Sequence, residues 1–143
     1  MAAAEPYIAR RPQLTLDTTV TLDCHAREVR LTPDDAEIDT AVFCSPSRRV
    51  VGKTDWTLEL VVLQSFGNGT TTEGLYDQLA PMSKTQVNYL LETDKLVGPS
   101  EEAPHFTGSL FVPSIPVLDA TISEKSEFTL TFAVADDPVK VVA

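Results

Sequence analysis

The sequence predicts a mainly β protein: an antiparallel β-sandwich or partly opened barrel with one short flanking α-helix. Apolar and polar residues alternate with a period of two along most of the chain, which is typical of strands buried on one face. Ten prolines against six glycines indicate many chain reversals and few long helices. Leucines at helical spacing form one short segment, so a single helix is expected.

Six runs of residues are predicted as strands. In the first run Leu16, Val20 and Leu22 share one face, while threonines and aspartates occupy the other. The clearest alternation is in the last run. In chain order the predicted strands are 15–24, 27–31, 55–66, 86–93, 105–112 and 127–134.

The predicted helix lies between the third and fourth of these strands. Thr70 precedes Glu73 by three residues, which is the spacing of a capping box. Leu75 and Leu79 follow at i and i+4, and Pro81 closes the segment. Because the helix has one apolar stripe, we expect it to lie over a sheet.

Length and charge restrict the class of protein. The chain has 143 residues, which suits one domain with a sizeable core. Its net charge is −10, so its surface should repel nucleic acid and anionic membranes. Its apolar runs are far shorter than the roughly 20 residues of a membrane span, and its start lacks the apolar stretch of a signal peptide. We therefore expect a protein made in a reducing cytoplasm, with Cys24 and Cys44 unpaired.

The sequence favours no enzyme, and no cofactor or metal site is predicted. The two cysteines and two histidines match no zinc-site spacing. No nucleophile motif is present, and the glycine-containing segment 67–70 lacks the lysine of a phosphate loop. Glu101 and Glu102 lie in a turn rich in proline and serine, where solvated carboxylates are expected rather than catalytic ones.

The order of these elements resembles the major tail protein of long-tailed bacteriophages, particularly those that infect actinobacteria. The similarity lies in a tryptophan-led strand after a long loop, in the short helix, and in the last two strands. The segments that carry it read DWTLEL at 55–60, EGLYDQL at 73–79, PHFTG at 104–108 and FTLTFAV at 128–134. It extends over most of the chain from about Leu14 onward.

This resemblance implies a structural protein of the virion tail with the fold of the tube proteins of contractile tails and of type VI secretion. Six copies would form a ring whose inner sheets join into a β-barrel around a channel. Rings would stack into the tail tube through a long loop between early strands. The implied partners are further copies and the tape measure, terminator and distal tail proteins. The genome would pass through the lumen without specific binding, and no membrane contact is implied.

The stretch 32–54 shows no convincing period and takes the place of this stacking loop. Its acidic residues come first and its basic residues follow, so acids on one ring would face cations on the next and fix the register. The terminal residues 1–14 and 135–143 are predicted as arms that a stack would use. The stacking candidates are Asp34, Asp35, Glu37, Asp39, Arg48, Arg49 and Lys53.

A channel lined by acids and hydroxyls would repel phosphate and let DNA slide. The candidates for this lining lie on the polar faces of two strands: Asp55, Thr57, Glu59, Glu127, Thr129 and Thr131. The alternative for each strand is an ordinary solvated sheet face. The alternative for the stretch 32–54 is an ordinary surface loop, in which the separation of acidic from basic residues has no role.

Two other classes stay open on the sequence. One is another phage structural part of related fold, such as a tail terminator or a capsid decoration protein. The other is a monomeric binding module, such as a carbohydrate-binding sandwich. A binding module would present exposed aromatic residues or a calcium cluster, whereas aromatic residues make up only 7% of the chain and most occupy inward positions.

Overall fold

The computed structural model describes residues 2–8, 11–22, 26–39, 49–66, 68, 74–116 and 127–143, with the backbone alone at 36–39 and 49–53. These residues form eight strands, one α-helix and one 3-10 turn. In chain order they are β1 (Gln13–Leu16), β2 (Val20–Thr21), β3 (Ala26–Asp39), β4 (Arg49–Leu63), α1 (Leu75–Leu79), the 3-10 turn (Ala80–Met82), β5 (Gln86–Glu92), β6 (His105–Phe111), β7 (Glu127–Val134) and β8 (Val139–Val141).

The strands form an antiparallel sheet in the order β2-β1-β5-β6-β7-β4-β3, with β8 also paired to β6. β6 and β7 share two residue pairs, Leu110 with Val134 and Phe111 with Ala133. At this narrow junction the sheet divides into a β2-β1-β5-β6 layer and a β7-β4-β3 layer. β8 resumes pairing with β6 further along, so β7 and β8 act as one bent strand that passes between the layers. The predicted sandwich or barrel is confirmed.

The core lies where the inward faces of the two layers meet, and the predicted alternation is confirmed on β4, β5, β6 and β7. Burial of each large apolar side chain contributes about 1.5–3 kcal/mol. Phe66, the last residue of the predicted strand 55–66, is 71% exposed, because β4 ends at Leu63 and the alternation stops there. The core residues are Leu14, Leu16, Leu22, Leu58, Leu60, Val62, Leu75, Leu79, Tyr89, Leu91, Leu110, Val112, Phe128, Leu130 and Phe132.

Helix α1 covers the core as predicted, with Leu75 and Leu79 fully buried. It begins later than the capping-box spacing indicated, because Gly74 is the N-cap and makes no side-chain cap. Thr70 and Glu73 lie outside the described residues. Pro81 does not end the segment at once but sits within the 3-10 turn that follows.

The first predicted strand, 15–24, is wrong: its described part is a hairpin. Asp17 and Thr18 have φ of 52° and 58°, left-handed values at the two central positions of a turn that the Thr19 N–H closes on the Leu16 oxygen. The chain reverses over residues 17–19, and Leu16 pairs with Val20. Residues that face each other across a hairpin point to the same side of the sheet. Leu16 and Val20 therefore share one face, as they would in a continuous strand.

The predicted irregular loop 32–54 is also wrong over its described part. β3 and β4 continue through it as an antiparallel ladder that reaches Asp39 opposite Arg49, with a bulge between Asp35 and Glu37. Residues 40–48 lie outside the described residues. β7 supports β4 only from Trp56 to Leu63. We call the two-stranded ribbon beyond this support, residues 34–39 and 49–55, the arm.

Both terminal segments contain strand residues at positions that the sequence assigned to arms. β1 starts at Gln13 and Leu14 is only 2% exposed, so the N-terminal arm ends before residue 14. At the C-terminus, Val139–Val141 forms β8 on β6. Part of the segment 135–143, which was predicted as an arm for stacking, therefore has a partner within the same chain.

Candidate assembly interface

The six residues predicted to line a channel lie on one outward face of the β7-β4-β3 layer. Glu59 is directly opposite Thr131, and Thr57 is opposite Ala133. Side chains at directly opposite positions of an antiparallel pair point to the same side. Their outward position is thus observed, whereas their position in a lumen stays a prediction. Exposed on this face are Asp55, Glu127, Thr129 and Thr131, and half-buried are Thr57 and Glu59.

Strand β3 widens this face by four residues that the sequence reading did not assign to it. They stand opposite Val61, Glu59, Thr57 and Asp55 in the β3–β4 ladder. Thr32 and Asp34 were missed because the second strand was predicted to end at residue 31, and Glu28 and Arg30 because the pairing of that strand with β4 was not predicted. The resulting surface, which we call the acidic face, consists of Glu28, Arg30, Thr32, Asp34, Asp55, Thr57, Glu59, Glu127, Thr129 and Thr131.

The ion pairs of the acidic face lie towards the end that is remote from the arm. Arg30 Nη2 is 2.7 Å from Glu28 Oε1 on the same strand. At the root of the arm, Asp34 lies directly opposite Asp55. Neither aspartate forms an ion pair with another described residue, and neighbouring like charges of this kind are unfavourable in a single chain. Two carboxylates therefore stand at directly opposite positions at the root of the arm.

The opposite layer presents a different outward face. Its strands β5 and β6 place one carboxylate there, Glu92, whose Oε2 is 3.8 Å from Nε2 of the buried His105. The other outward groups of these two strands are uncharged; Ser109 Oγ, for example, donates to Asn88 Oδ1 at 3.0 Å. The acidic groups of the sheet are thus concentrated on the β7-β4-β3 layer.

Two strand edges of the β7-β4-β3 layer are unpaired among the described strands. β3 pairs with β4 alone, so its outer edge is open along Ala26–Asp39. β7 pairs with β6 only at Ala133 and Val134, so its outer edge is open over residues 127–132. Unpaired backbone groups at an edge are ready to add a strand from another chain.

The predicted stacking residues lie along the two strands of the arm. Asp34 and Asp35 are exposed on β3, and Thr54 Oγ1 donates to Asp35 Oδ1 at 2.6 Å. Further out, Asp39 stands opposite Arg49 in the ladder. Acidic and basic residues therefore occupy opposite backbone positions on one ribbon. Of the other candidates, Glu37 and Lys53 belong to β3 and β4, and Arg48 lies outside the described residues.

The N-terminal segment is fastened to the turn after β5. The Tyr7 hydroxyl donates to the backbone oxygen of Thr93 at 2.7 Å, and Arg11 Nη2 is 2.7 Å from Asp94 Oδ2. The backbone N–H of Leu96 and then Arg11 hold the pKa of Asp94 below its ordinary value of 3.8. Burial, and secondarily the charge of Asp94, raise the pKa of Tyr7 above 10.0.

Neither a metal-binding cluster nor a membrane-spanning helix occurs in the part of the chain that the structure describes. No group of three or more histidine, cysteine, aspartate or glutamate residues there could hold a metal ion. No helix there is long and apolar enough to cross a membrane.

The comparisons with known proteins establish the fold. No family model matches the chain, and no curated protein matches it. Among solved structures, the chain is similar to one chain of a cryo-EM structure of the anti-feeding prophage baseplate, 6-fold symmetrised. The TM-score is 0.51 with 12% sequence identity, and the match covers 97% of each chain. The two chains thus share an overall fold over nearly their full lengths.

Proposed function

We propose that this chain is a structural subunit of a phage-type tail, and that rings of six copies stack into a tube that conducts the genome. The observation that carries the proposal is the β7-β4-β3 layer, which combines two edges that no other described strand pairs with and one acidic outward face. The similarity to a chain of the prophage baseplate supports a phage-tail role.

The strand directions suit a closed ring. β3 is antiparallel to β4 and β4 is antiparallel to β7, so β3 and β7 run in the same direction. Copies related by rotation would join β3 of one to β7 of the next as a parallel pair. Six such layers make a barrel of about eighteen strands, which is roughly 34–39 Å across at 4.8 Å per strand and a tilt of 35–45°. After the inward side chains are allowed for, this width admits a DNA duplex.

The charge distribution suits a conduit. The inward face of each layer packs on its own core, so the acidic face is the one left to line the channel. Six chains at −10 give roughly −60 per ring. The carboxylates would repel phosphate and the threonine hydroxyls add no positive charge, so DNA would pass without sticking. We propose no catalytic role and no cofactor.

The arm is the proposed stacking element. About seven residues of β4 extend beyond Trp56, which corresponds to roughly 23 Å of strand. A two-stranded ribbon without a supporting layer is marginally stable in water. Contact with the next ring would supply that support.

The baseplate similarity also favours a second candidate: a ring at one end of a tail that does not stack on further copies of itself. Both candidates require the ring, and only the tube requires the stack. A variant with a short arm separates them, in which Asn-Gly replaces residues 38–50 as a two-residue hairpin turn between Glu37 and Val51.

Negative-stain electron microscopy over a concentration series tests the proposal. The wild-type chain should form hollow tubes, and the short-arm variant should form rings without tubes. Single wild-type rings at all concentrations would favour the second candidate. A wild-type chain that stays monomeric at the highest concentrations would contradict both, whereas tubes from the short-arm variant would contradict the role of the arm.

A further inference from the structure

We propose that Arg27 and Glu127 form the ion pair that joins neighbouring copies: Arg27 of one copy binds Glu127 of the next. The inference rests on the proposed ring, and it assigns the residues that hold the ring together. Neither residue was predicted to take part in copy-to-copy contact.

The two side chains already meet within one chain. Arg27 Nη1 is 2.9 Å from Glu127 Oε2 and 3.2 Å from Oε1. Arg27 is the extra residue of the bulge between Ala26 and Glu28, and Glu127 begins β7 opposite Leu63. Both groups therefore stand at the end of the layer that is remote from the arm. Their side chains are 67% and 37% exposed, so both are accessible to another molecule.

The pair links β3 and β7, the two strands whose outer edges are open among the strands that the structure describes. To meet inside one chain, the side chains span β4, which separates β3 from β7 by about 9.6 Å, twice the spacing of paired strands. Across a junction between copies, β3 and β7 are direct neighbours about 4.8 Å apart. In the proposed ring, Glu127 of the next copy is therefore on the neighbouring strand, whereas Glu127 of the same chain is two strands away. Copies related by rotation about the ring axis place the same residue at the same height along that axis. Arg27 and Glu127, which lie at similar heights within one chain, therefore lie at similar heights in neighbouring copies.

Charge complementarity favours a second copy as the partner. The β3 edge carries arginine and the β7 edge carries glutamate, so the two edges of one chain are complementary to each other. A two-fold dimer that joins the β3 edges of two copies would instead place Arg27 of both copies in one interface, without Glu127 from a β7 edge. Arg30 is a matched comparison, because it lies on the same face of β3 and already binds Glu28 within that strand at 2.7 Å.

Two charge reversals test the pair. Arg27→Glu or Glu127→Arg places like charges at every junction, so each variant should need about tenfold more protein than wild type to form rings. Mixed in equal amounts, the two variants should recover ring formation. In a ring of alternating copies, each junction then carries one glutamate and one arginine at these positions. Arg30→Glu should change ring formation by less than about twofold, and high salt should weaken wild-type rings.

The mixing experiment separates contact between copies from contact within a copy. A pair that acts only within each chain gives no recovery on mixing, since every copy keeps its own like charges, and that result would overturn the inference. The double variant Arg27→Glu/Glu127→Arg restores the pair in both cases and verifies that the substitutions permit folding. If the wild-type chain forms rings and the Arg27→Glu variant forms them equally well, that result overturns this inference and leaves the proposed function standing. Absence of wild-type rings would overturn the proposed function itself.

Discussion

The indole Nε1 of Trp56 donates a hydrogen bond of 3.0 Å to Oδ1 of Asp137. Trp56 starts the part of β4 that β7 supports, and Asp137 lies in the bend between β7 and β8. The bond therefore ties the bend to the root of the arm. It adds to a ladder of three residue pairs that holds β8 on β6.

Removal of this acceptor should loosen the C-terminal strand. Asp137→Ala is expected to cost roughly 0.5–1 kcal/mol in the free energy of unfolding, since the bond is exposed to solvent. Amide exchange at 139–141 should become faster. Asp137→Asn keeps an oxygen acceptor and is the matched control. Equal effects of the two substitutions, measured by urea denaturation, would show that the hydrogen bond does not hold β8.

Adjacent positions on β7 should differ strongly in their contribution to stability. Phe132 is fully buried between the layers, so Phe132→Ala is expected to cost about 3–5 kcal/mol. Thr131, one residue earlier, points outward, and Thr131→Ala should stay within about 0.5 kcal/mol. Chemical denaturation of both variants checks the alternation. A large loss at Thr131 would contradict the assignment of the outward face.

Gly108 should resist substitution because β6 passes close to a buried ring. A Cβ atom there would lie 3.0 Å from both Cε1 and Oη of Tyr89, which is 3% exposed. Gly108→Ala is expected to cost about 1–3 kcal/mol. Gly98→Ala is the control, since its Cβ would have no neighbour within 4 Å.

The hydroxyl of Tyr89 supplies a second variant for the same contact. Within the described part of the chain it is buried without a hydrogen-bond partner, and burial raises its pKa. Tyr89→Phe should therefore be close to neutral or stabilising. In the Gly108→Ala background it should recover part of the lost stability, because one of the close atoms is gone. Strictly additive effects in a double-mutant cycle would contradict the proposed contact.

The attachment of the N-terminal segment should weaken in acid. The folded pKa of Asp94 is below its ordinary value of 3.8, so its contribution is fully present above that value and is lost as pH falls through the lower folded pKa. Nuclear magnetic resonance titration of this carboxyl, together with shifts in residues 2–8, checks the window. Asp94→Asn should abolish the transition. It should also lower the pKa of Tyr7, which the charge of Asp94 helps to raise.

The inward positions on β4 to β7 were predictable because burial on one face imposes a local period of two. The arm was missed for the same reason. A ribbon that extends beyond its supporting layer has no buried face, so no alternation marks Asp34 or Thr54 as strand residues. The turn at Asp17 and Thr18 was missed because left-handed backbone occurs there without the glycine that usually signals it.

The sequence by itself determined the fold class, most of the core and the composition of the polar strand faces, since each depends on residues that are near in the chain. Tertiary structure alone decided which strands pair, which edges stay open, and that Arg27 meets Glu127 across one hundred positions of sequence. Strand pairing is a contact between distant segments, selected by the twist and closure of the whole sheet. No local pattern encodes that selection, so the candidate interface between copies emerged only when the layers were assembled.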